Sequence, residues 1–401
     1  MAAEKITDGI WSVGILNPNL RVFDIVMTTD YGTTYNSYLV KGSEKTALIE
    51  CTHLSYFDRY LENIKKVCDP SEIDYLILNH TEPDHAGGVA KLLEANPNME
   101  IIASQAGSIY IKGITNRTDL KLRVVKEGDS IDLGGKTLQF MIAPFLHWPD
   151  SMFTWVPEDK TVFSCDFLGS HYCEPFTFDY NVTYPEAYET AFKGYYDAIF
   201  GPFPAYVRKG LERLKALDIE YACTSHGPVL TKGNLLDYAM GKYAEWSAPK
   251  AAGPKDVPVF YCSAYGNTRQ LAKKIAAGIR RALPDAKVDT FDIIKHPMPE
   301  LAARLNGCDA FAIGSPTLNR DAVQPVWNLL SHVDAINSAK RPVVLFGSYG
   351  WSGEAAANLK ARLEGLKMSL FEEPFRVVFV PSAEDLEKAE ELGFRFGESL
   401  K

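Results

Sequence analysis

Apolar residues in the first part of the chain recur in short runs of three to five, separated by polar or glycine-containing turns. Such runs are typical of buried β-strands. The runs at 38–40 and 46–49 flank a Gly-Ser-Glu turn at 42–44, and Gly134-Gly135 separates two more, so both places predict hairpins. Further strands are predicted at 75–78, 138–142, 161–165 and 221–224. Strands and helices therefore alternate irregularly in this half.

The second part of the chain has a more regular pattern. Between its apolar runs lie helical repeats, such as Leu271, Ile275, Ile279 and Leu283 at spacings of four. Five short, mostly buried strands that alternate with helices predict a parallel, doubly wound sheet. The five predicted strands are 259–262, 288–293, 310–313, 343–346 and 377–380. The charged run 384–400 predicts a solvated last helix.

A seam of small residues and prolines at 247–256 separates the two patterns. It follows a helical run at 235–246 and precedes the first strand of the regular half. A length of 401 residues suggests two or three domains. We therefore predict two domains, 1–250 and 251–401.

Composition narrows the class of protein. Hydrophobic residues make up 46% and charged residues 23% of the chain, which excludes a disordered tail, a collagen and a coiled coil. With 42 basic and 51 acidic side chains the formal net charge is -9, so neither nucleic acid nor an anionic membrane is an expected partner. No apolar run is long enough to span a bilayer, and the first residues lack a signal-peptide pattern.

The number and spacing of the cysteines indicate the redox environment of the protein. The seven are scattered, and no two form a Cys-x-x-Cys pair, which excludes an in-chain rubredoxin or zinc ribbon. This usage predicts reduced thiols in a cytoplasmic protein.

The densest chemistry follows the predicted strand 75–78. His80, Glu82, Asp84 and His85 place four potential metal ligands within six residues. Clustered imidazoles and carboxylates repel or desolvate one another unless a cation joins them. The segment therefore predicts a metal site.

Three further donors stand where other predicted strands end. His147 follows 138–142, Asp166 follows 161–165 and His226 follows 221–224. Each alone is more often structural, but together with the first four they place seven donors on loops of one domain. The other histidines lack such company and are interpreted as ordinary surface or partly buried residues: His53, His171, His296 and His332.

The motif at 80–85 resembles the His-x-His-x-Asp-His of the metallo-β-lactamase fold, an αββα sandwich with two metals at one edge. Glu82 stands where the second histidine would be. A hard carboxylate in place of a borderline imidazole shifts the preference from zinc toward iron. With the later His, Asp and His, the pattern resembles the flavodiiron proteins.

That resemblance implies a diiron centre and names its ligands, which are also the candidate catalytic residues. His85 is not a ligand in every member of the family. The implied ligands are His80, Glu82 and His147 for one iron, Asp84, His85 and His226 for the other, and Asp166 as the bridge.

The second half carries a different kind of site. After the strand 259–262, hydroxyls and backbone amides at 263–268 precede a helix and form a potential anion site, where Gly266 permits close approach. The alternative is a merely capped helix. The segment resembles the phosphate loop of flavodoxins, which implies a flavodoxin-like domain that binds FMN.

Two further loops, 314–319 and 347–351, end the third and fourth strands. In a doubly wound sheet such loops converge where ligands bind. Tyr349 and Trp351 suit an isoalloxazine ring, although Trp351 could instead belong to the core. The candidate flavin contacts are Ser263, Ala264, Tyr265, Gly266, Asn267, Thr268, Ser315, Pro316, Thr317, Leu318, Asn319, Ser348, Tyr349, Gly350 and Trp351.

The resemblance implies an oxidoreductase. Two ferrous ions and a reduced FMN together supply four electrons, enough to reduce dioxygen to water; nitric oxide reduction to nitrous oxide needs two. An external donor, commonly rubredoxin and in some members a reduced deazaflavin, would refill the flavin. A head-to-tail homodimer, or a dimer of dimers, would bring the FMN of one chain to the irons of another.

Two alternative functions stay open, and one segment of the chain departs from the family's sequence pattern. The chain could be a zinc hydrolase fused to a flavodoxin domain, or a non-enzymatic electron carrier. Many members of the family carry a His and a Tyr shortly before a Gly-Thr-Thr-Tyr-Asn segment. Here that segment is present at 32–36, but the residues before it read Phe23-Asp24-Ile25-Val26. The choice between dioxygen and nitric oxide therefore stays open, with dioxygen favoured.

Overall fold

The computed structural model describes residues 3–249 and 253–401. The chain divides into two compact units, Met1–Pro249 and Lys250–Lys401. No helix in the described ranges is long and apolar enough to cross a membrane. All seven cysteines lie in these ranges and are free, as expected.

In the described part of the first unit, seven strands form one mixed sheet. Their order is Glu4–Thr7, Ile10–Ser12, Tyr38–Lys41, Thr46–Ile49, Tyr75–Leu78, Glu100–Ala103 and Leu122–Val124. The first four pair antiparallel and the fourth to seventh pair parallel. Because parallel strands share a carboxyl edge, the loops that follow them meet there.

A second sheet of the first unit contains six strands within the described residues. Their order is Ser130–Asp132, Thr137–Ile142, Met152–Val156, Thr161–Cys165, Tyr221–Thr224 and Leu230–Thr231. All neighbours are antiparallel except Thr161–Cys165 and Tyr221–Thr224, which are parallel. Asp166 and His226 therefore leave the sheet in the same direction.

The two sheets stack face to face. Val40 and Ile77 of the first sheet share a core with Phe140 and Phe163 of the second. Each fully buried side chain of this kind contributes about 1.5–3 kcal/mol. Helices cover the outer faces and bury a second and a third apolar cluster. This αββα sandwich is the predicted architecture.

The helices of the first unit connect or cover these strands. They are Phe57–Lys65, Pro83–Ala86, Val89–Ala95, Gln105–Thr115, Pro185–Tyr195, Pro204–Lys215 and Leu235–Trp246, with a π-helical turn at Tyr196–Phe200. Two small ribbons complete the unit, Ile15–Asn17 with Thr33–Tyr35 and Val22–Phe23 with Met27–Thr28.

The second unit is built on a parallel sheet. Its described strands run in the order Thr290–Asp292, Val259–Tyr261, Phe311–Gly314, Pro342–Tyr349, with Ser369–Leu370 and Phe375–Val378 both paired to the last of these. The helices are Asn267–Ala282, Met298–Gly307, Gln324–Ser331, Glu354–Gly365 and Ala383–Glu398, and a ribbon joins Thr317–Leu318 to Asp321–Ala322. The order 2-1-3-4-5 is that of a flavodoxin-like doubly wound sheet.

The predicted elements are confirmed, with small shifts at their ends. The strands Thr161–Cys165 and Tyr221–Thr224 and the helix Leu235–Trp246 have the predicted bounds. The prediction at 288–293 was too long, since only Thr290–Asp292 pairs as a strand. The last helix, Ala383–Glu398, begins at a capping box formed by Ser382. The predicted boundary residue 250 lies outside the described residues.

Candidate functional site

The motif that follows the strand Tyr75–Leu78 forms a sharp turn into a short helix. His80 lies just beyond the strand, and Glu82 is the N-cap of Pro83–Ala86. Asp84 and His85 occupy the first turn of that helix, where a preceding proline fixes the backbone. His80, Asp84 and His85 are buried and Glu82 is partly buried. Four donors thus point inward from one loop.

The second sheet supplies the other three predicted donors. Asp166 directly follows Thr161–Cys165, and His226 lies just beyond Tyr221–Thr224. His147 stands in the connection between Thr137–Ile142 and the next strand. Loops of both sheets meet at this edge, so the structure brings all seven predicted donors into one cluster.

Asp166 lies between two groups of donors. Its Oδ2 is 3.7 Å from His80 Nε2 and 3.5 Å from His147 Nε2. Its Oδ1 is 3.3 Å from His85 Nε2 and 3.5 Å from His226 Nε2. One carboxylate therefore presents one oxygen to each group.

The other two carboxylates each belong to one group. Glu82 Oε2 is 3.2 Å from His80 Nε2 and 3.1 Å from His147 Nε2. Asp84 Oδ2 is 3.1 Å from His226 Nε2, and its Oδ1 is 3.4 Å from His85 Nε2. Each group has the donor set of one cation site.

Several of these atoms are buried without a hydrogen-bond partner: both oxygens of Asp84, both oxygens of Asp166 and Nε2 of His85. Unpaired buried carboxylates are costly and rare in native proteins. Three carboxylates converging on four imidazole nitrogens suit a pair of divalent cations with a preference for hard ligands. The residues present therefore fit a diiron centre.

Hydrogen bonds behind the cluster fix which histidine nitrogen faces inward. His80 Nδ1 lies 3.1 Å from the Asp150 carboxylate, and His226 Nδ1 lies 2.5 Å from the carbonyl oxygen of Thr34. Because an ionised carboxylate and a carbonyl only accept, both Nδ1 atoms donate. Each Nε2 therefore faces the cluster, where a bound cation would displace its proton and take its lone pair.

The charges of the cluster stabilise one another. Burial lowers the pKa of His80, but hydrogen bonds to Asp150 and Glu82 outweigh it and raise the pKa well above its usual range. Burial raises the pKa of Asp166, but the positive charges of the neighbouring histidines, His85 first, lower it well below its usual range. Asp166 is therefore an ionised carboxylate.

The prediction for His171 was wrong. It is buried, with Nδ1 2.9 Å from Thr33 Oγ1 and its ring 5.1 Å from that of His226. It lines the cavity beside the metal cluster. The sequence contained a weak signal, since His171 follows Asp166 within the same strand-end connection.

Two acidic residues next to the cluster, Glu50 and Asp150, were not predicted from the sequence as part of the site. Asp150 anchors His80, and Glu50 lies directly after the strand Thr46–Ile49, with its Oε1 accepting the amide of Asn79 at 2.9 Å. Burial raises the pKa of Glu50 to about 8. Glu50 stands at a strand end, as the predicted ligands do, so the rule that found those ligands could have found it too.

A cavity of about 640 Å³ opens beside the cluster. Its wall includes Glu82, His147 and His171, together with Tyr195 and Asp24. Asp24 belongs to the turn between Val22–Phe23 and Met27–Thr28, where the sequence departs from the family pattern. Burial and the neighbouring Glu82 raise the pKa of its carboxyl to about 6. A small molecule in this cavity meets the donors of the first group directly.

The second unit has a cleft of about 270 Å³ at the carboxyl ends of its strands. The predicted contacts that line it are Ala264, Tyr265, Asn267, Pro316, Thr317, Leu318, Asn319, Ser348, Tyr349, Gly350 and Trp351. The sequence did not predict four other lining residues, Arg320, Ser352, Glu354 and Phe379. Trp351 is 94% exposed, which excludes its alternative interpretation as a core residue.

Four predicted contacts do not line the cleft. Gly266 has φ +88° and precedes the helix Asn267–Ala282, and Ser263 accepts an amide of that helix. Thr268 is buried, with its hydroxyl 2.9 Å from that of Ser348, and Ser315 accepts the amide of Val323. These residues shape the loops. Backbone amides at a helix start next to exposed aromatic faces fit a phosphorylated flavin.

Family models match both units. Residues 33–227 match a model described as ODP family beta lactamase, and residues 259–393 match Flavodoxin. The two predicted fold types are thereby confirmed.

A curated relative from Clostridium acetobutylicum, named flavo-diiron protein FprA2, is 53% identical over 401 residues, covering 100% of this chain and 99% of the relative. The chain belongs to the flavodiiron family. A second curated relative, from Moorella thermoacetica, is named nitric oxide reductase and is 32% identical, covering 97% of this chain and 96% of the relative.

Solved structures agree with this membership. The rubredoxin oxygen:oxidoreductase of Desulfovibrio gigas is 30% identical with a TM-score of 0.72, covering 99% of this flavodiiron chain and 98% of its own. The flavodiiron protein of Giardia intestinalis is 27% identical with a TM-score of 0.70, covering 100% and 97%.

Proposed function

We propose that this flavodiiron protein reduces dioxygen, nitric oxide or both at a non-haem diiron centre, with FMN relaying electrons from an external donor. The domain 1–250 would hold the irons and the domain 251–401 the FMN. The observation that carries the proposal is the position of Asp166, whose two oxygens face two separate donor groups. A site for one metal ion would not require a carboxylate placed between two separate donor groups.

The ligand assignment follows the two groups. In this proposal His80, Glu82 and His147 hold one iron, Asp84, His85 and His226 hold the other, and Asp166 bridges them. The contacts of His85 with Asp84 and Asp166 support its inclusion. The reduced centre and reduced FMN would each supply two electrons.

The chain's own residues provide the surroundings of the reaction. Glu82 and His147 line the cavity, so a diatomic molecule there would have access to the first donor group. Asp24, His171 and Tyr195 line the same cavity and offer polar contacts to it. The segment Phe23-Asp24-Ile25-Val26 stands where many members of the family carry a His and a Tyr. Asp24 is the polar residue of this segment that lines the cavity, so we expect it to influence the dioxygen and nitric oxide preference of this chain.

Iron is proposed over zinc because of Glu82. Its carboxylate contacts both His80 and His147, which gives this group an anionic hard ligand where hydrolases carry imidazole. Metal analysis of the purified protein tests the choice. Two irons per chain are expected, whereas two zincs would favour the hydrolase alternative.

The reaction is tested by anaerobic chemical reduction, followed by stopped-flow mixing with dioxygen and, separately, with nitric oxide. We expect rapid reoxidation of the flavin by at least one of the two gases, without released peroxide in the case of dioxygen. An iron-loaded, reduced protein that reacts slowly with both gases would instead be an electron carrier.

The partners are part of the proposal. The structural relative from Desulfovibrio gigas is a rubredoxin oxygen:oxidoreductase. We propose rubredoxin, or a reduced deazaflavin, as the electron donor of this chain in the cytoplasm. We also propose a head-to-tail homodimer or a dimer of dimers, so that one chain's FMN serves the other chain's irons. Analytical ultracentrifugation of the active protein should show no monomer, and a fully active monomer would exclude this assembly.

A further inference from the structure

Asp150 accepts hydrogen bonds from two adjacent residues of the loop that begins the metal-binding motif, His80 and Thr81. It is 1% exposed, and its Oδ2 accepts the amide of Thr81 at 2.7 Å and the hydroxyl of Thr81 at 2.6 Å. Both of its oxygens lie near His80 Nδ1, at 3.1 and 3.2 Å. The carboxylate of Asp150 thus holds both the imidazole of His80 and the backbone of Thr81 in place.

We propose that Asp150 is the positioning residue that holds His80 in its ligating tautomer and makes the iron bound there the more tightly held of the two. This inference rests on the proposed diiron function and deepens it. An anionic acceptor behind a ligating imidazole raises the basicity of the inward nitrogen and fixes the ring plane.

The two donor groups differ in this respect. His80 is backed by the carboxylate of Asp150, whereas His226 is backed by the neutral carbonyl of Thr34. A charge-assisted hydrogen bond is roughly twice as strong as a neutral one. The structure therefore makes the two metal positions unequal, although Asp166 contacts both.

Asp150 also couples separate ligand loops. It lies three residues after His147, and its carbonyl oxygen accepts the hydroxyl of Ser104 at 2.8 Å. The loop with His147 is thereby tied both to the loop with His80 and to the N-cap of the helix Gln105–Thr115. Loss of the carboxylate is expected to loosen two ligands of one iron and to leave His226 unaffected.

The test is Asp150→Asn in the full-length, iron-loaded protein. The carboxamide keeps the size of the side chain but has one acceptor oxygen instead of two. Its amino group is a hydrogen-bond donor and would face a donor of His80 or Thr81, so at least one of these hydrogen bonds is lost. We expect a ferrous chelator to remove one iron per chain roughly 10- to 100-fold faster than from the wild type, with the second iron unchanged.

Asp179 provides a matched control. It is buried in the same unit and accepts the amide and the hydroxyl of Thr231 at 2.8 and 2.7 Å, as Asp150 does for Thr81. Its remaining bond goes to the amide of Leu235 and not to a histidine. Asp179→Asn should therefore lower thermal stability while both irons keep their wild-type release rates.

The outcomes separate the two proposals. If Asp150→Asn and the wild type release both irons at the same rates, the positioning role is excluded and the diiron function stands. Faster release of both irons by the same factor, in either variant, also excludes it, because a general loss of structure would have that effect. A wild type without iron would overturn the proposed function itself.

A second measurement, made on the wild type, tests the proposal even if the Asp150→Asn variant does not fold. In the ferrous wild type labelled with ¹⁵N-histidine, the Nδ1 proton of His80 should exchange slowly and show a nuclear Overhauser contact to the amide of Thr81, since both donate to Asp150. Absence of a proton on that nitrogen would exclude the tautomer and with it the positioning role.

Discussion

The metal cluster and the flavin cleft are built in opposite ways. In the cluster, His80 is 0% exposed, and hydrogen bonds from distant parts of the unit hold the imidazoles of both His80 and His226. In the cleft, Trp351 and Tyr265 are 94% and 91% exposed, and the loops that carry them begin at strand ends of one sheet.

The difference follows from what each site must hold. A small cation needs several oriented lone pairs at once, and buried polar groups keep such an orientation only if second partners satisfy them. A planar flavin gains from aromatic faces and from amides at a helix start, which short local loops can provide. The cluster is therefore sensitive to distant residues, while the cleft depends on near ones.

The largest effect is expected at the bridge of the cluster. Asp166→Ala removes the carboxylate that faces both donor groups, so iron content should fall and oxygen consumption should drop by more than about 100-fold, since even the loss of an outer partner costs 10- to 100-fold. Metal analysis and an oxygen electrode measure this, and FMN content should stay at the wild-type level.

Asp132→Ala, on the exposed edge of the second sheet, is the control for that experiment and should leave iron unchanged. Normal iron and full activity in Asp166→Ala would contradict the bridging role.

The identity of the metal should respond to one residue. Glu82→His restores the imidazole of the hydrolase motif, so the iron-to-zinc ratio of protein from cells supplied with both metals should fall on the order of tenfold. Plasma emission analysis gives the ratio. Glu94→His, on an exposed helix face of the same unit, should keep the wild-type ratio, and an unchanged ratio in Glu82→His would remove the argument for iron selection.

A moderate effect is expected at the cleft. Trp351→Ala removes an exposed aromatic face, so the dissociation constant of FMN should rise roughly tenfold, the order of one stacked aromatic pair. Fluorescence titration of the apoprotein measures it, with Ile294→Ala as the control, since Ile294 is exposed in the same unit but does not line the cleft. If iron content changed together with FMN affinity, the metal cluster and the flavin cleft would not be independent sites.

The smallest effect concerns backbone geometry at the phosphate loop. Gly266 has φ +88°, so Gly266→Ala should cost about 1–2 kcal/mol of unfolding free energy and lower Tm by a few degrees. Gly365→Ala is the matched control, because nothing lies within 4 Å of its added Cβ and no positive φ is involved. Calorimetry distinguishes the two, and equal Tm values would show that the loop is not strained.

Part of this site could be predicted from the sequence alone. The contiguous motif with His80 and His85, and the strand-end positions of Asp166 and His226, mark a metal site because local chemistry and strand ends are both visible along the chain. Asp150 could not be identified in this way, since it is one acidic residue in an ordinary loop. His171 was misjudged because its burial depends on contacts with Thr33 and Tyr195, which are distant in sequence.

The sequence by itself predicted the two fold types, the flavin loops and the seven candidate metal donors that the structure brings together, because periodicity, turn residues and strand ends are local properties. Only the tertiary structure decided which nitrogen of each histidine faces inward, that Asp166 lies between two groups, and that Asp150 backs just one of them. Hydrogen-bond partners far apart in the chain are chosen by how two sheets stack, and no local pattern records that choice.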